Sequence, residues 1–416
     1  MNEKLKPTTL AWVVFTITAL FYAYEFFLRV APAALQADIM KNFKINAKDF
    51  GVLMSAYYVT YTPLQLVVGS IMDLYGPKKT LIVAILSCLS GAVFFVTASQ
   101  FSTAFLSYAL IGFGSAFAFV GVLKLSSNWL PTNYLAIASG IATSLGMIGA
   151  ISGEFILDLT VHNYGYVQSF TIYLILGILI LAGVIFIVRD QPHKAKISKR
   201  APIKFKTLIR DLLKLRHNGQ FWLNAVVGCL LFMPTNIFAS MWAVMFFKQT
   251  YHISSSGSNA MSSLLFAGWA IGAPITGYLV SKGYQIIKLL RIGSIASAMF
   301  LSMVIFHEIQ NPNAIFFFMF MTGFFSSVQV LVFPNAVKFI DKKYSGTAIS
   351  LTNMVIMLSS YFSPLVGSIL DMSWDGTMEN NVRIFSAHGF EQALFMLPLA
   401  LSISFICTYF MKDTKS

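Results

Sequence analysis

Within Phe21–Val30, FYAYEFFLRV, a glutamate and an arginine stand in an apolar run long enough to cross a membrane. A charge at the centre of a lipid-exposed helix costs about 2.5–3.5 kcal/mol or more. Glu25 and Arg29 must therefore face protein, water or each other. Acid four residues before base is the favourable order for an ion pair on one helical face, and Tyr22 stands three residues earlier on the same side. Two chemistries follow. In one, Arg29 binds a substrate carboxylate while Glu25 receives a substrate amine or a coupling proton. In the other, the pair is silent: the two charges neutralise each other in a packed seam, or Arg29 snorkels outward from about five residues inside the helix end. Apolar packing replaces a silent pair at little cost, which favours the functional reading. A substrate held by Arg29 deprives Glu25 of its partner and frees it to take a proton.

Other candidates are spread along the chain. Glu154 shares a helical face with Gly146 and Ala150, a small-residue stripe where helices approach closely. It is read as a second proton-coupling site, an outer salt bridge or an interfacial acid. Lys124 follows Phe117 and Gly121 on one side and either presents an ammonium to an anion or marks a helix end. In the second half the middles of the apolar runs carry no formal charge. There Pro234-Thr235-Asn236 interrupts a helix, and a broken helix leaves backbone groups that only protein or a cavity can satisfy. Asn236, Trp269, Gln329, Asn353 and Tyr361 are thus candidates for a non-ionic wall of a substrate site, or are plain packing residues. Tyr58 and Tyr61 are added from the first half. The expected arrangement is an ionic N-terminal half facing an amide- and aromatic-lined C-terminal half.

The elements that must position these residues are membrane helices. Hydrophobic residues make up 57% of the 416 and charged residues 11%, whereas about a quarter of a soluble domain is charged. Mean hydropathy is +0.72. A spanning helix needs roughly 20 apolar residues. Such runs occur at 10–34, 49–72, 80–98, 102–126, 134–157, 166–188, 220–247, 258–281, 286–307, 313–339, 345–370 and 389–411. The fold class read from them is an all-α membrane protein with twelve transmembrane helices. The net charge of +13 lies in the gaps between runs, not along one soluble face, so it encodes orientation and not nucleic-acid binding. With the termini on one face, the other face carries only Lys41, Lys44, Lys48, Lys248 and Arg383. Arg29 lies in the membrane, and every remaining Lys and Arg falls on the terminal face. The positive-inside rule makes that face cytoplasmic.

The chain divides into an N-terminal six-helix bundle (1–189), a basic linker (190–218) and a C-terminal six-helix bundle (219–416). Phe205–Arg216 of the linker has helical apolar spacing with basic residues between, which fits an amphipathic helix on the anionic inner leaflet or a plain connector. The halves repeat: Gly277 stands 208 residues after Gly69, Gly323 stands 211 after Gly112, and Tyr344 and Asp371 follow Tyr134 and Asp158 at similar offsets. Duplicated bundles about a central site are a transporter signature.

After the second run the chain reads Gly69-Ser-Ile-Met-Asp73-Leu-Tyr-Gly76-Pro77-Lys78-Lys79. This G-x-x-x-D-x-x-G with a basic pair resembles the major facilitator superfamily, and the resemblance covers the whole chain. It implies two six-helix pseudo-repeats working by alternating access, with Gly69, Asp73, Gly76, Lys78 and Lys79 as a cytoplasmic gate whose acid approaches a helix end of the other half. Leu74 departs from the basic residue usual after the Asp, and Ser281 replaces the Asp in the second copy. Tyr61 and Gln65, with an arginine late in the first helix, are similar to branches importing carboxylates, nutrients and amino acids. YEFFLRVAP resembles phagosomal amino-acid transporters. Tyr108 stands where proton/drug antiporters place an arginine, and the exporter Gly-Pro pair is missing from the fifth run.

The expectation is a monomeric secondary carrier in the plasma membrane, such as a bacterial inner membrane, taking up a small zwitterion or carboxylate (an amino acid, short peptide or organic acid). No cofactor or metal is called for; a proton gradient is the energy source. Export of a drug-like or siderophore-like amphiphile by proton antiport is the alternative. All six histidines fall in loops or at helix ends, so carboxylates would have to carry any proton. No G-x-x-x-x-G-K-S/T loop, H-E-x-x-H or nucleophile–base set occurs, which argues against a pump or a membrane enzyme. The cysteines, Cys88, Cys229 and Cys407, lie in apolar runs without metal-like spacing.

Overall fold

In a bilayer every backbone polar group must be satisfied within the chain, so each apolar run closes into a helix. The computed structural model describes residues 8–131, 134–191, 217–306, 311–338, 345–379 and 382–412. Eleven helices among them are long and apolar enough to cross a membrane. In chain order the spans are α1 (Thr9–Ala34), α2 (Ala47–Leu64, resuming as Val68–Tyr75), α3 (Pro77–Val96), α4 (Phe101–Trp129), α5 (Ala138–Tyr164) and α6 (Gln168–Phe186). The second half supplies α7 (Gly219–Thr250), α8 (Ser255–Ser281), α9 (Ile286–Ile305), α10 (Pro312–Lys338), α11 (Ala348–Met372) and α12 (Ala387–Phe410). The twelfth span is α2, which the sequence reads as continuous; it turns at Gln65–Val67 instead and carries Lys48, Asp49 and Asp73. A short helix, Gln36–Phe43, follows α1, and a two-stranded hairpin pairs Met378–Glu379 with Val382–Arg383 before α12. Both escape an apolar-run count because they lie outside the apolar runs. The linker helix proposed at Phe205–Arg216 and the repeat partner Tyr344 lie outside the described residues.

The repeat is visible in the packing. A Cβ on Gly112 would stand 2.0 Å from the Tyr57 carbonyl oxygen, and one on Gly323 would stand 1.9 Å from that of Leu265. Glycine is thus required where α4 crosses α2 and, one repeat later, where α10 crosses α8. Irregular turns interrupt the helices. Ser152–Ile156 of α5 and Pro234–Trp242 of α7 are π-helical, while Ser327–Leu331 of α10 and Leu358–Phe362 of α11 are 3₁₀. Pro234 has no N–H for the ladder, and π turns gather at functional positions. The small residues of α5 pack on α1, with Gly146 beside Tyr22 and Phe26, and Gly149 against the Ala23 backbone.

Two seams join the halves toward the face opposite the termini. Along α2 and α11 the backbones nearly touch: a Cβ on Gly51 would lie 2.8 Å from the Ser363 carbonyl oxygen, and one on Gly367 would lie 2.3 Å from that of Ala47. Asp371 accepts from the Ala47 and Lys48 amides at 3.2 and 2.7 Å. Along α5 and α8, Ser256 donates to Asp158 at 2.7 Å. Gly51→Leu is expected to prise this face open. With a cysteine at buried Ser55, labelling by an impermeant maleimide from that face should rise several-fold; unchanged labelling would mean that the seam does not govern access.

Candidate functional site

The site is built on one helical turn of α1. Glu25 is fully buried and Arg29 is 3% exposed. Their spacing puts the guanidinium over the carboxylate, with Arg29 Nη2 donating to Glu25 Oε1 at 2.9 Å and to Oε2 at 3.1 Å. Tyr57 of α2 closes a triangle. Its hydroxyl donates to Glu25 Oε2 at 2.7 Å and accepts from Arg29 Nε at 3.2 Å. Tyr108 of α4 donates to the Arg29 carbonyl oxygen at 2.5 Å, fixing the backbone beneath the charge. Aromatic faces supply the remaining walls, with the guanidinium carbon 4.2 Å from the Phe26 ring centre, 5.1 Å from Tyr57 and 5.2 Å from Tyr61. A planar cation between ring faces is stabilised without being neutralised. Nη1 has no acidic partner among the described residues, so Glu25 is the one counter-charge of this guanidinium among them.

The first half meets the second immediately beside this triangle. Tyr58, adjacent to Tyr57, donates to Asn236 Oδ1, and Asn236 Nδ2 donates to Ser359 Oγ at 2.9 Å. Asn236 lies within the π turn of α7, and its side chain reaches Tyr58 of α2. Tyr361 donates to the Tyr58 carbonyl at 3.2 Å, and Asn353 donates to Gln65 Oε1 at 3.0 Å where α2 turns. Trp269 is buried with no partner for its indole N–H among the described residues, and Gln329 is buried in the 3₁₀ turn of α10. The polar C-terminal wall is therefore assembled around Asn236, Asn353 and Tyr361.

Some candidates stand elsewhere. Tyr22 packs edge-on to Phe26 and against Phe119, with ring centres 5.0 and 5.1 Å away, and makes no hydrogen bond to Glu25. Lys124 pairs with Asp73, both about one-third exposed, so its ammonium is held at the α2–α4 edge and not at Arg29. Asp73 accordingly meets a lysine of its own half, and among the described residues no contact from it to a helix end of the other half is seen. The loop beyond it is tied to the end of α6: the Lys78 amide donates to Asp190 Oδ1 at 2.7 Å and Lys78 Nζ to the Ile185 carbonyl at 2.6 Å. Gly76, at φ +85°, leaves no room for a Cβ against Asp190, which accounts for that glycine; Gly69 has open space around it, and Lys79 takes no part in these ties. Glu154 is buried in the α5 π turn. Ser263 of α8 donates to Oε2 at 3.4 Å, and Oε1 has no partner among the described residues.

Sequence reasoning missed Tyr57, the member that links acid and base. Its signal was present: Tyr57 and Tyr61 are four residues apart, hence on one face of α2, at the depth of Arg29. Tyr57→Phe is expected to weaken any ligand that uses Arg29 by about 1–3 kcal/mol, as a hydrogen bond to a charged group is lost. An unchanged Kd would remove Tyr57 from the site.

Two duplicated six-helix groups, cross-braced alike and meeting at a buried charge pair, define a membrane carrier. The family profile of the Major Facilitator Superfamily matches residues 12–364, and the chain belongs to that family. It is a transporter and not an enzyme. It is 26% identical over 321 residues to the "Uncharacterized transporter YybO" of Bacillus subtilis (strain 168), covering 70% of this chain and 71% of that one. The "Probable galactarate/D-glucarate transporter GarP" of Escherichia coli (strain K12) is 20% identical, covering 96% and 93%. The "Hexuronate transporter" of Bacillus subtilis (strain 168) is 26% identical over 61% of each chain. Among solved structures, a mutant of the nucleoside transporter NupG superposes with TM-score 0.77 at 13% identity, covering 96% of this chain and all of that one. A bacterial homolog to the human lysosomal transporter Spinster, inward-facing and occupied, gives 0.76 at 13% identity, covering 98% and 97%. These likenesses establish the fold.

Proposed function

We propose that the protein takes up a small organic acid in symport with a proton, by alternating access about the Glu25–Arg29–Tyr57 triangle. The observation that carries this reading is a buried arginine whose only acidic partner among the described residues is a glutamate one helical turn away. Two of the relatives reported above are named for sugar acids, galactarate/D-glucarate and hexuronate, so within the class of zwitterions and carboxylates the organic acid is favoured over an amino acid or peptide.

A substrate carboxylate taking Nη1 and Nη2 displaces Glu25, whose charge then has only the Tyr57 hydroxyl. Glu25 accepts a proton, the site becomes close to neutral, and the halves rock with both passengers enclosed. Release of the proton restores the ion pair and expels the acid. The charge bias between loops supports cytoplasmic termini with the Gly51–Gly367 seam outside, in the plasma membrane of a cell such as a bacterium. The carrier acts as a monomer. Asp73, Lys78, Lys79 and Lys124 serve the cytoplasmic gate when that face closes. Glu154, with one oxygen unpartnered across the α5–α8 seam, is the second coupling candidate.

The test is uptake of labelled D-glucarate and D-glucuronate into proteoliposomes under an imposed pH gradient. Glu25→Gln is expected to retain exchange but lose accumulation, and Glu154→Gln to retain both. Accumulation by Glu25→Gln with unchanged pH dependence would remove Glu25 from coupling, and loss only in Glu154→Gln would move it there.

A further inference from the structure

The site above leaves a second anion-shaped feature unused. On the face opposite the termini a cavity of about 600 Å³ lies between the halves, lined by Met40, Lys41, Lys44 and Ile45 on one side and Trp374 and Arg383 on the other. Those three cations are most of the few basic residues on that face, and no acid lines the cavity among the described residues. Two acids of the Arg383 side are engaged: Asp375 Oδ1 accepts from the Thr377 amide at 2.9 Å, and Asp371 is held by Arg383 Nη1 at 2.8 Å.

The cavity wall is built, not adventitious. The Arg383 guanidinium is held between the Trp374 ring, 4.2 Å away, and Asp371, while its backbone carbonyl accepts from Gln249 of α7 at 2.9 Å. Lys44 closes the short helix Gln36–Phe43 in the left-handed region, at φ +52°, with its amide returned to the Lys41 carbonyl at 3.3 Å. That turn brings both lysines to the cavity, and neither ammonium has an ion-pair partner among the described residues. A free ammonium pair facing a bonded guanidinium across a gap of this size matches a small dianion with separated acidic groups.

We propose that this cavity is a mouth subsite for small organic dianions, in which Lys41 and Lys44 bind one carboxylate and Arg383 the other. Arg383 cannot serve an incoming carboxylate and Asp371 equally. Binding therefore draws Arg383 away from Asp371, the residue that caps α2 across the α2–α11 seam, and occupancy of the mouth loosens the seam beneath it. The subsite does not depend on the transport reading, since it uses none of the residues of the central site.

The test is titration of the purified full chain with succinate and malate, with acetate as the single-carboxylate control and inorganic phosphate as the compact one. Wild type, Lys41→Gln/Lys44→Gln, Arg29→Ala and Asp371→Asn are compared. The double lysine variant is expected to lose dianion affinity by tenfold or more and Arg29→Ala to keep the mouth component. Asp371→Asn should tighten binding several-fold because Arg383 is released. Acetate should bind at least tenfold more weakly than succinate. Dianion binding untouched by the lysine variant, or unchanged in Asp371→Asn, overturns the proposal. Phosphate binding as tightly as succinate also overturns it, because it would indicate a site for a single compact anion such as a lipid phosphate. Failure of the central-site reading shows separately, as dianion binding that is wholly indifferent to Arg29→Ala.

Discussion

Arg29→Ala is expected to cut carboxylate affinity at the central site by about 30-fold to a few thousand-fold. Removing one member of a buried, hydrogen-bonded charge pair costs about 2–5 kcal/mol, and each 1.4 kcal/mol is tenfold. The measurement is a thermal-shift titration, since a ligand that binds only the folded carrier raises its apparent stability. The single variant also strands Glu25, buried and without its cation, at about 3–5 kcal/mol of destabilisation. Glu25→Gln/Arg29→Ala separates the two effects. It should recover the melting temperature and remain unresponsive to carboxylates. Recovery of the ligand response along with stability would make the pair structural, and a response to amphiphiles surviving in both variants would favour export.

The second large effect is steric. Gly112→Leu places a Cβ where the Tyr57 carbonyl oxygen already stands 2.0 Å away, so α2 and α4 must separate along their crossing. Overpacking a core costs about 1–3 kcal/mol when side chains can yield, and here the obstacle is backbone. The expected result is a sharp loss of monodisperse protein on size exclusion. Gly140→Ala, in open space, should be neutral. Gly323→Leu tests the repeat, because its clash with the Leu265 carbonyl is equally severe yet displaces no member of the charge triangle. If Gly112→Leu folds and Gly323→Leu does not, the two braces are not equivalent.

Hydropathy made the helices legible because it reports lipid against water, and that contrast is strong for α1 and α3–α12. It is weaker in α2, where Lys48, Asp49 and Asp73 share the span with a turn at Gln65–Val67. The repeat was readable from Gly112 and Gly323 because glycine at a crossing has no substitute. Glu25 and Arg29 announced themselves as charges in an apolar setting. Tyr57 did not, since a tyrosine at mid-depth is ordinary on composition and its role depends on which helix faces it. Asp73 was placed by motif, but its partner depends on which face of the carrier is closed, which a linear string does not specify. Asn236 was found for a physical reason, the proline before it, while its bond to Tyr58 could come only from the docking of the halves.

Tyr57 and Tyr58 are neighbours in the chain and do different work: one touches the acid and the base, the other holds Asn236 across the divide. Successive residues on a helix point about 100° apart, and they share a rigid backbone. A shift of α2 that follows the Tyr57 hydroxyl when Glu25 changes partner must also drag Tyr58 against the other half. Chemical state and mechanical state are then read by a single peptide unit, with no relay between them whose parts could slip. Leakage, in the sense of rocking without cargo or proton, would have to break two bonds on one helix at once.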